Sequence, residues 1–187
     1  MAELLKGIDT DVFVQRLEAD TVIKPFKSSD EDFDKFLLKK AKNYQAQKLA
    51  VTYLLETETE TVAFFSLAHD CVRRDISRTN LSEYERNIWR VIDQKIPRKK
   101  QRHYYPAIKI VQLAVDTKYE GNGFGRLIIN IVKDMYGKAE QRAGCRFISV
   151  DAMQKVTDFY IKNNFNFLTE KDEERLQRAM CLDLHTL

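Results

Sequence analysis

Long apolar runs are missing from this 187-residue chain. No stretch approaches the roughly 20 residues of a membrane-spanning helix. The start, Met1-Ala2-Glu3-Leu4-Leu5-Lys6, has no apolar core of a length that a secretory signal needs, so a cytoplasmic location is expected. Cysteine is scarce: Cys71, Cys145 and Cys181 are odd in number and far apart, which excludes a disulfide framework or a CxxC metal site. They are expected to be small buried hydrophobes. The three histidines, His69, His103 and His185, are scattered and none belongs to an HExxH pattern, so no metal is expected. Internal repeats and low-complexity segments are absent as well. What remains is 44% hydrophobic and 32% charged, the balance of a soluble globular protein, and long enough for one α/β domain spanning residues 1–187.

The most informative stretch is Ile108 to Met135. Ile108, Ile110, Val111, Leu113, Ala114 and Val115 form a short β-branched and apolar run, which predicts a largely buried strand. A loop with Gly121, Gly123 and Gly125 follows. From Phe124 the apolar residues Leu127, Ile128, Ile131, Val132 and Met135 step by three or four, marking one face of a helix. The first amides of a helix lack partners and sit at the positive end of its dipole, so a strand, a glycine loop and a helix start together suit a phosphate. Alternate glycines reach positive φ and let several amides approach one anion. Spacing excludes two other phosphate loops. A P-loop needs Gly-Lys-Ser/Thr where Gly125 is followed by Arg126 and Leu127. A dinucleotide fingerprint needs G-x-G-x-x-G, whereas Arg126 stands at its third glycine.

The sequence Leu113-Ala114-Val115-Asp116 with Tyr119 and Glu120-Gly121-Asn122-Gly123-Phe124-Gly125 resembles the pyrophosphate-binding motif of the GNAT superfamily of acyl-CoA-dependent N-acetyltransferases. Glu120 stands where that family usually has Gln or Arg. A second segment, Asp158-Phe159-Tyr160-Ile161-Lys162-Asn163-Asn164-Phe165, resembles the family's A-x-x-FY-x-K-x-GF, with Asn164 in place of glycine. Asparagine is the commonest substitute at positive φ. The resemblance implies an α/β fold with a mixed, mostly antiparallel sheet of six to seven strands. Two parallel central strands would splay apart, with helices on both faces. It also implies acetyl-CoA as cofactor, held by Leu113, Ala114, Val115, Glu120, Gly121, Asn122, Gly123, Phe124, Gly125, Arg126 and Tyr160.

Taken in order, the chain opens with Val12, Phe13 and Leu17, in a short helix or a lead-in. Thr21 to Phe26 reads as a first strand, with Pro25 placing it at an edge. Ser28 and Glu31 read as a capping box for a helix to about Gln47, with Phe33, Phe36, Leu37, Ala41 and Tyr44 on its apolar face. Strands are expected at Leu49 to Leu55, Val62 to Ala68, Phe147 to Asp151, Phe165 to Leu168 and Arg178 to Leu184, with a helix carrying Val156, Phe159, Tyr160 and Asn163 directly after Phe147 to Asp151.

Arg73 to Arg102 does not read as part of that scaffold. Asn80 with Glu83 is expected to cap a helix whose apolar face is Leu81, Tyr84, Ile88, Trp89 and Ile92. This stretch holds ten basic residues against four acids, a net of +6 in a chain whose total is +3, so the remainder carries −3. Two readings stay open: a solvated insertion, or a surface for a phosphate-rich partner or the CoA 3′-phosphate.

Acetyl transfer to an amine needs a deprotonated amine, a polarised carbonyl and a proton for the leaving thiolate. The resemblance assigns the last task to Tyr160; the other reading of Phe159 and Tyr160 is as core aromatics. A backbone amide at Leu113 or Val115 would polarise the carbonyl. His69, beside Asp70 at an expected strand end, is the candidate base, ahead of His103. Cys145 lies before a core strand, so direct transfer without a covalent enzyme intermediate is expected.

A narrower resemblance lies in Phe26 to Leu37, followed by Ala41 and Asn43 to Gln47, and in Val150-Asp151-Ala152. These resemble the toxin-type GNAT enzymes of bacterial toxin–antitoxin pairs. That implies an aminoacyl-tRNA amine as acceptor, with tRNA held through Arg73, Arg74, Arg98, Lys99, Lys100 and Arg102, an antitoxin protein as partner, and homodimerisation. Protein amines and small amines remain alternatives, as does a CoA-binding or nucleic-acid-associated module of the same fold without turnover.

Overall fold

The computed structural model describes residues 11–74, 81–94, 103–137 and 143–186. Their strands are β1 (Phe13–Arg16), β2 (Val51–Glu56), β3 (Thr61–Arg73), β4 (Tyr104–Val115), β5 (Phe147–Met153), β6 (Asn166–Phe167) and β7 (Gln177–Asp183). They form one seven-stranded sheet in the order β1-β2-β3-β4-β5-β7-β6. β1 with β2, β2 with β3, β5 with β7 and β6 with β7 pair antiparallel, and β4 with β5 is the parallel pair. The helices are α1 (Glu31–Lys35), α2 (Ala41–Ala46), α3 (Glu83–Gln94), α4 (Phe124–Gly137) and α5 (Thr157–Lys162). The mixed α/β fold expected from the sequence is present. Contacts group the chain into two units, Met1–His69 with Ile110–Lys138, and Asp70–Lys109 with Ala139–Leu187.

In the first unit, the core gathers Leu17, Phe26, Phe36, Leu37, Ala41, Leu54, Phe64 and Ala114. Phe64 lies edge-on to Phe26 at 5.3 Å and stacks on Phe36 at 6.2 Å. Between α1 and α2 runs a π turn, Phe36–Lys40, so the single helix expected from Ser28 to Gln47 is divided. This wider turn buries Phe36 and Leu37 and leaves Leu38 exposed. The cap differs from expectation too. Asp30 is the N-cap, accepting the Asp32 amide at 3.0 Å. Ser28 instead gives both its amide and its hydroxyl to Asp34.

Thr21 to Phe26 is not a strand, and the residues expected to lead in, Phe13–Arg16, are. Proline explains half of this. Pro25 has no amide for a ladder, and only its carbonyl is used, by the Thr61 amide at 3.0 Å. Polar groups explain the rest: the Lys24 ammonium reaches the Thr57 carbonyl at 2.7 Å and the buried Glu56 carboxylate at 3.3 Å. Glu56 also accepts from Gln15 on β1 and from Thr61. A buried carboxylate needs such partners, and β1 and the 21–26 strap both supply them.

The second unit corrects the reading of Arg73 to Arg102 as lying outside the scaffold. Arg73 belongs to β3, and α3 contributes Trp89 and Ile92 to a core with Val72, Tyr105, Ala107, Phe147 and Cys181. The expected apolar face is therefore real, but it is spent inside the unit. Asn80 lies outside the described residues; the capping box seen is Ser82 with Glu85. The Glu85 amide reaches Ser82 Oγ at 3.1 Å, and Glu85 Oε2 accepts the Ser82 amide at 2.9 Å. Glu85 is buried and also accepts the Thr169 hydroxyl. Only Cys181 fits the expectation of a buried thiol, with its pKa pushed up to about 12 by burial and then by Asp183. Cys71 is exposed on β3 and Cys145 is half-buried.

Phe64 is fully buried between two aromatic rings. Its replacement by alanine is expected to lower stability by about 3–5 kcal/mol, because the cavity cannot close between rings held by the π turn and the strap. Urea unfolding followed by circular dichroism measures this.

Candidate functional site

β4 ends at Val115, and Asp116 stops it. The Asp116 carboxylate caps the following 3₁₀ turn, Thr117–Tyr119, by accepting the Lys118 amide at 2.9 Å. It also accepts the Lys27 amide at 2.7 Å. Of the strand residues expected at the cofactor, Ala114 is buried and Leu113 and Val115 are half-buried.

Tyr119 leans edge-on against Phe124, with centroids 5.8 Å apart, and its hydroxyl donates to Glu60 at 3.1 Å. Lys118 pairs with the same carboxylate. The hydrogen bond from Lys118, then that from Tyr119, holds the Glu60 carboxyl below the usual range. The loop between these anchors is exposed from Glu120 to Gly123. Gly121 and Gly123 have φ of +79° and +86°, and a Cβ added at either would meet nothing within 4 Å. Left-handed backbone and open space coincide, which is the arrangement of a backbone that a ligand approaches.

Gly125 does not share that role. It lies in the first turn of α4, without a positive φ, and the alternation expected of three glycines is a pair. The first helical bond runs from the Leu127 amide to the Gly123 carbonyl at 2.9 Å. The amides of Phe124, Gly125 and Arg126 therefore precede the intrahelical ladder, at the positive end of a 14-residue helix. Phe124 is buried and anchors this turn, whereas Arg126 is exposed. Glu120 is exposed as well, and its side chain has no hydrogen bond or ion pair among the described residues.

In the second unit, Tyr160 sits on α5 and is 6% exposed. Phe159 and Phe165 meet its ring edge-on at 5.0 and 5.3 Å. Burial pushes its pKa well above the ordinary tyrosine value, so the phenol is a proton donor throughout the neutral range. The helix closes directly behind it. The Asn163 amide reaches the Tyr160 carbonyl, the Asn163 side chain reaches the Phe159 carbonyl at 2.7 Å, and Asn164 takes the expected left-handed conformation at φ 70°.

His69 is exposed and lies inside β3, which runs on to Arg73, and not at a strand end as expected. Successive strand residues face opposite sides, so Asp70 is turned away from it. Asp70 accepts the Ser149 hydroxyl at 2.6 Å, a pair that no spacing in the sequence announces. Arg74 is likewise engaged: it makes a two-pronged bond to Asp93 at 2.7 and 2.9 Å and covers Trp89. Arg73 covers Tyr104. Arg98, Lys99, Lys100 and Arg102, expected in a basic surface, lie outside the described residues. Among the described residues no group of His, Cys, Asp and Glu could hold a metal ion, and no helix is long and apolar enough to cross a membrane.

No family model matches the chain, and no curated protein sequence does. Solved structures do, along nearly the whole length. AtaT complexed with acetyl-methionyl-tRNAfMet superimposes with a TM-score of 0.73 at 20% identity, covering 94% of this chain and 96% of that one. AtaTR bound with acetyl-CoA gives 0.71 at 20% identity, with 94% and 95% covered. The KacTA–DNA complex gives 0.68 at 16% identity, with 94% of each chain covered. The chain thus has the fold of the AtaT and KacT toxins, which is the GNAT fold.

Proposed function

We propose that the protein is an acetyl-CoA-dependent N-acetyltransferase that moves the acetyl group directly to an amine, and that the amine is carried by an aminoacyl-tRNA. The observation that carries the reading is the glycine loop at the start of α4: two left-handed glycines with open space before them, followed by three amides outside the helical ladder. This matches what the pyrophosphate of CoA requires. An anion there gains from the dipole and from hydrogen bonds that need no side chain. Glu120, exposed, is free to turn from that anion.

Acetyl-CoA supplies the acetyl group as a thioester, whose C–S bond breaks as the amide C–N bond forms. The amides of Phe124, Gly125 and Arg126 hold the pyrophosphate, and Phe124 and Tyr119 keep their turn in place by ring contact. A main-chain amide at Leu113 or Val115 polarises the acetyl carbonyl. Tyr160 gives its phenolic proton to the departing sulfur, and the amine's surplus proton balances the exchange. Burial keeps the phenol protonated through the neutral range, so the proton is in place when the sulfur departs, and the surplus proton of the amine restores the phenol afterwards.

An aminoacyl-tRNA acceptor is supported by the AtaT complex with acetyl-methionyl-tRNAfMet and by the surplus positive charge of residues 73–102. An antitoxin partner is supported by the AtaT structure bound to the C-terminus of AtaR. The test is acetylation of charged tRNA with radiolabelled acetyl-CoA, with free thiol counted in parallel. Thiol release that needs the charged tRNA supports the reading. Binding of CoA with no thiol release in the presence of any amine sinks it in favour of a binding module.

Gly123→Val puts a branched Cβ into the space before the loop and is strained at φ +86°. CoA affinity is expected to fall at least about tenfold, a loss of about 1.4 kcal/mol, as read by calorimetry. Tyr160→Phe removes one hydroxyl and keeps the ring contacts. Thiol release is expected to slow about 100-fold or more, with CoA affinity unchanged. Single-turnover thiol assays at saturating acetyl-CoA measure it, and an unaltered rate would return Tyr160 to a packing role.

A further inference from the structure

The Asp116 carboxylate is 5% exposed and lies five residues before the first glycine of the loop. A negative charge close to a site for a pyrophosphate disfavours binding, so its presence there calls for a compensating role. The hydrogen bonds supply one. Oδ1 accepts the Lys118 amide at 2.9 Å, a local turn, whereas Oδ2 accepts the Lys27 amide at 2.7 Å, from a segment 89 residues away. The same segment is grasped twice, because the Thr117 amide donates back to the Lys27 carbonyl at 2.9 Å. The Asp116 amide donates to Val62 on β3 at 2.8 Å, and Val62 follows Thr61, whose amide holds Pro25. On the far side, Ser28 is buried and fixed to Asp34 of α1 through both its amide and its hydroxyl. One carboxylate thus joins the end of β4, the 21–28 strap and, through it, the first turn of α1.

We propose that Asp116 is a positioning residue for the nucleotide: its bond to the Lys27 amide fixes where the chain leaves β4, and so presents the Gly121–Gly123 backbone to CoA. The proposal rests on the reading of the glycine loop as the CoA site. Its physical basis is preorganisation. A glycine pair is free to sample many conformations, and affinity for an anion held by backbone amides depends on how few of them the loop retains. Bonds from backbone amides to an ionised carboxylate are among the stronger restraints available, about twice a neutral one. The strap also links occupancy of the loop to α1, so that CoA binding tightens residues well removed from it in sequence.

Asp116→Asn sets the two bonds against each other. An asparagine has one oxygen for the two N–H donors, so the Thr117–Tyr119 cap and the bond to Lys27 can no longer both be made, and the joint between the two segments is lost whichever way the side-chain amide turns. The experiment is titration calorimetry with CoA, at a temperature where thermal unfolding shows each protein fully folded. Parent and Asp116→Asn are compared, with hydrogen exchange on the parent with and without CoA. Expected is a Kd raised by at least about tenfold in the variant with an unchanged far-ultraviolet spectrum, and slower exchange of the Lys27 amide in the parent once CoA is bound. A role confined to stability would lower the unfolding midpoint and leave the Kd of the folded protein alone, and equal Kd values overturn the proposal. Should the variant not fold, the exchange measurement decides: a Lys27 amide indifferent to bound CoA overturns it. A parent that binds no CoA at all removes the loop assignment itself, an outcome distinct from equal Kd values.

Discussion

A buried carboxylate must be given donors, and in this chain that demand ties irregular segments to the strands and helices. Asp116 takes amides from two segments, Glu56 takes a lysine, a glutamine and a threonine, and Glu85 takes an amide and a hydroxyl. Asp172 takes Arg178 and the Ala179 amide. Several of these bonds join a regular element to an irregular one: Glu56 to Lys24, Glu85 to Thr169, and Asp172 to Arg178 and Ala179. The irregular segments, which have no ladder of their own, are held by these acids, because leaving such a group unpaired costs several kcal/mol. The glycine loop follows one of these acids, Asp116, and is flanked by the Tyr119–Phe124 ring contact.

The legible parts of the sequence were those with a period. The β4 run, the apolar stripe of α4, the face of α3 and the strands from Val51 onward all carry side-chain patterns that burial enforces, and their positions follow within a few residues. Asn164 at positive φ was legible for a local steric reason. The features that were missed depend on partners remote in sequence. Phe13–Arg16 has no alternation that distinguishes it from a lead-in, and it becomes a strand because β2 offers an edge and Glu56 a partner for Gln15. Ser28 loses its capping role to Asp30 because Asp34 is in reach. Ser82 with Glu85 was readable as a capping box but stands two residues after a similar pair.

The candidate site divides along the same line. The loop's chemistry needs only backbone, so Gly121, Gly123 and the start of α4 could be read from spacing, although Gly125 proved to be a helical residue. Tyr160 is a candidate on account of its neighbours in sequence, Phe159 and Asn163 to Phe165, of which Phe159 and Phe165 also meet its ring in space. Asp116 stands in the sequence as the last residue of the Leu113–Asp116 motif, and its bond across 89 residues lies beyond any local pattern. The Asp70–Ser149 pair was hidden for the same reason.

Trp89 is the single tryptophan of the chain. It is 3% exposed, stacks on Tyr105 with centroids 5.5 Å apart and lies under the Arg74 guanidinium. All three residues belong to the second unit. Intrinsic indole fluorescence is therefore a spectroscopic label of that unit alone, installed without chemistry, while the unit that carries the glycine loop is dark in the same channel. Emission and far-ultraviolet dichroism recorded on one denaturation then distinguish a protein that melts as a single cooperative body from one whose halves part company.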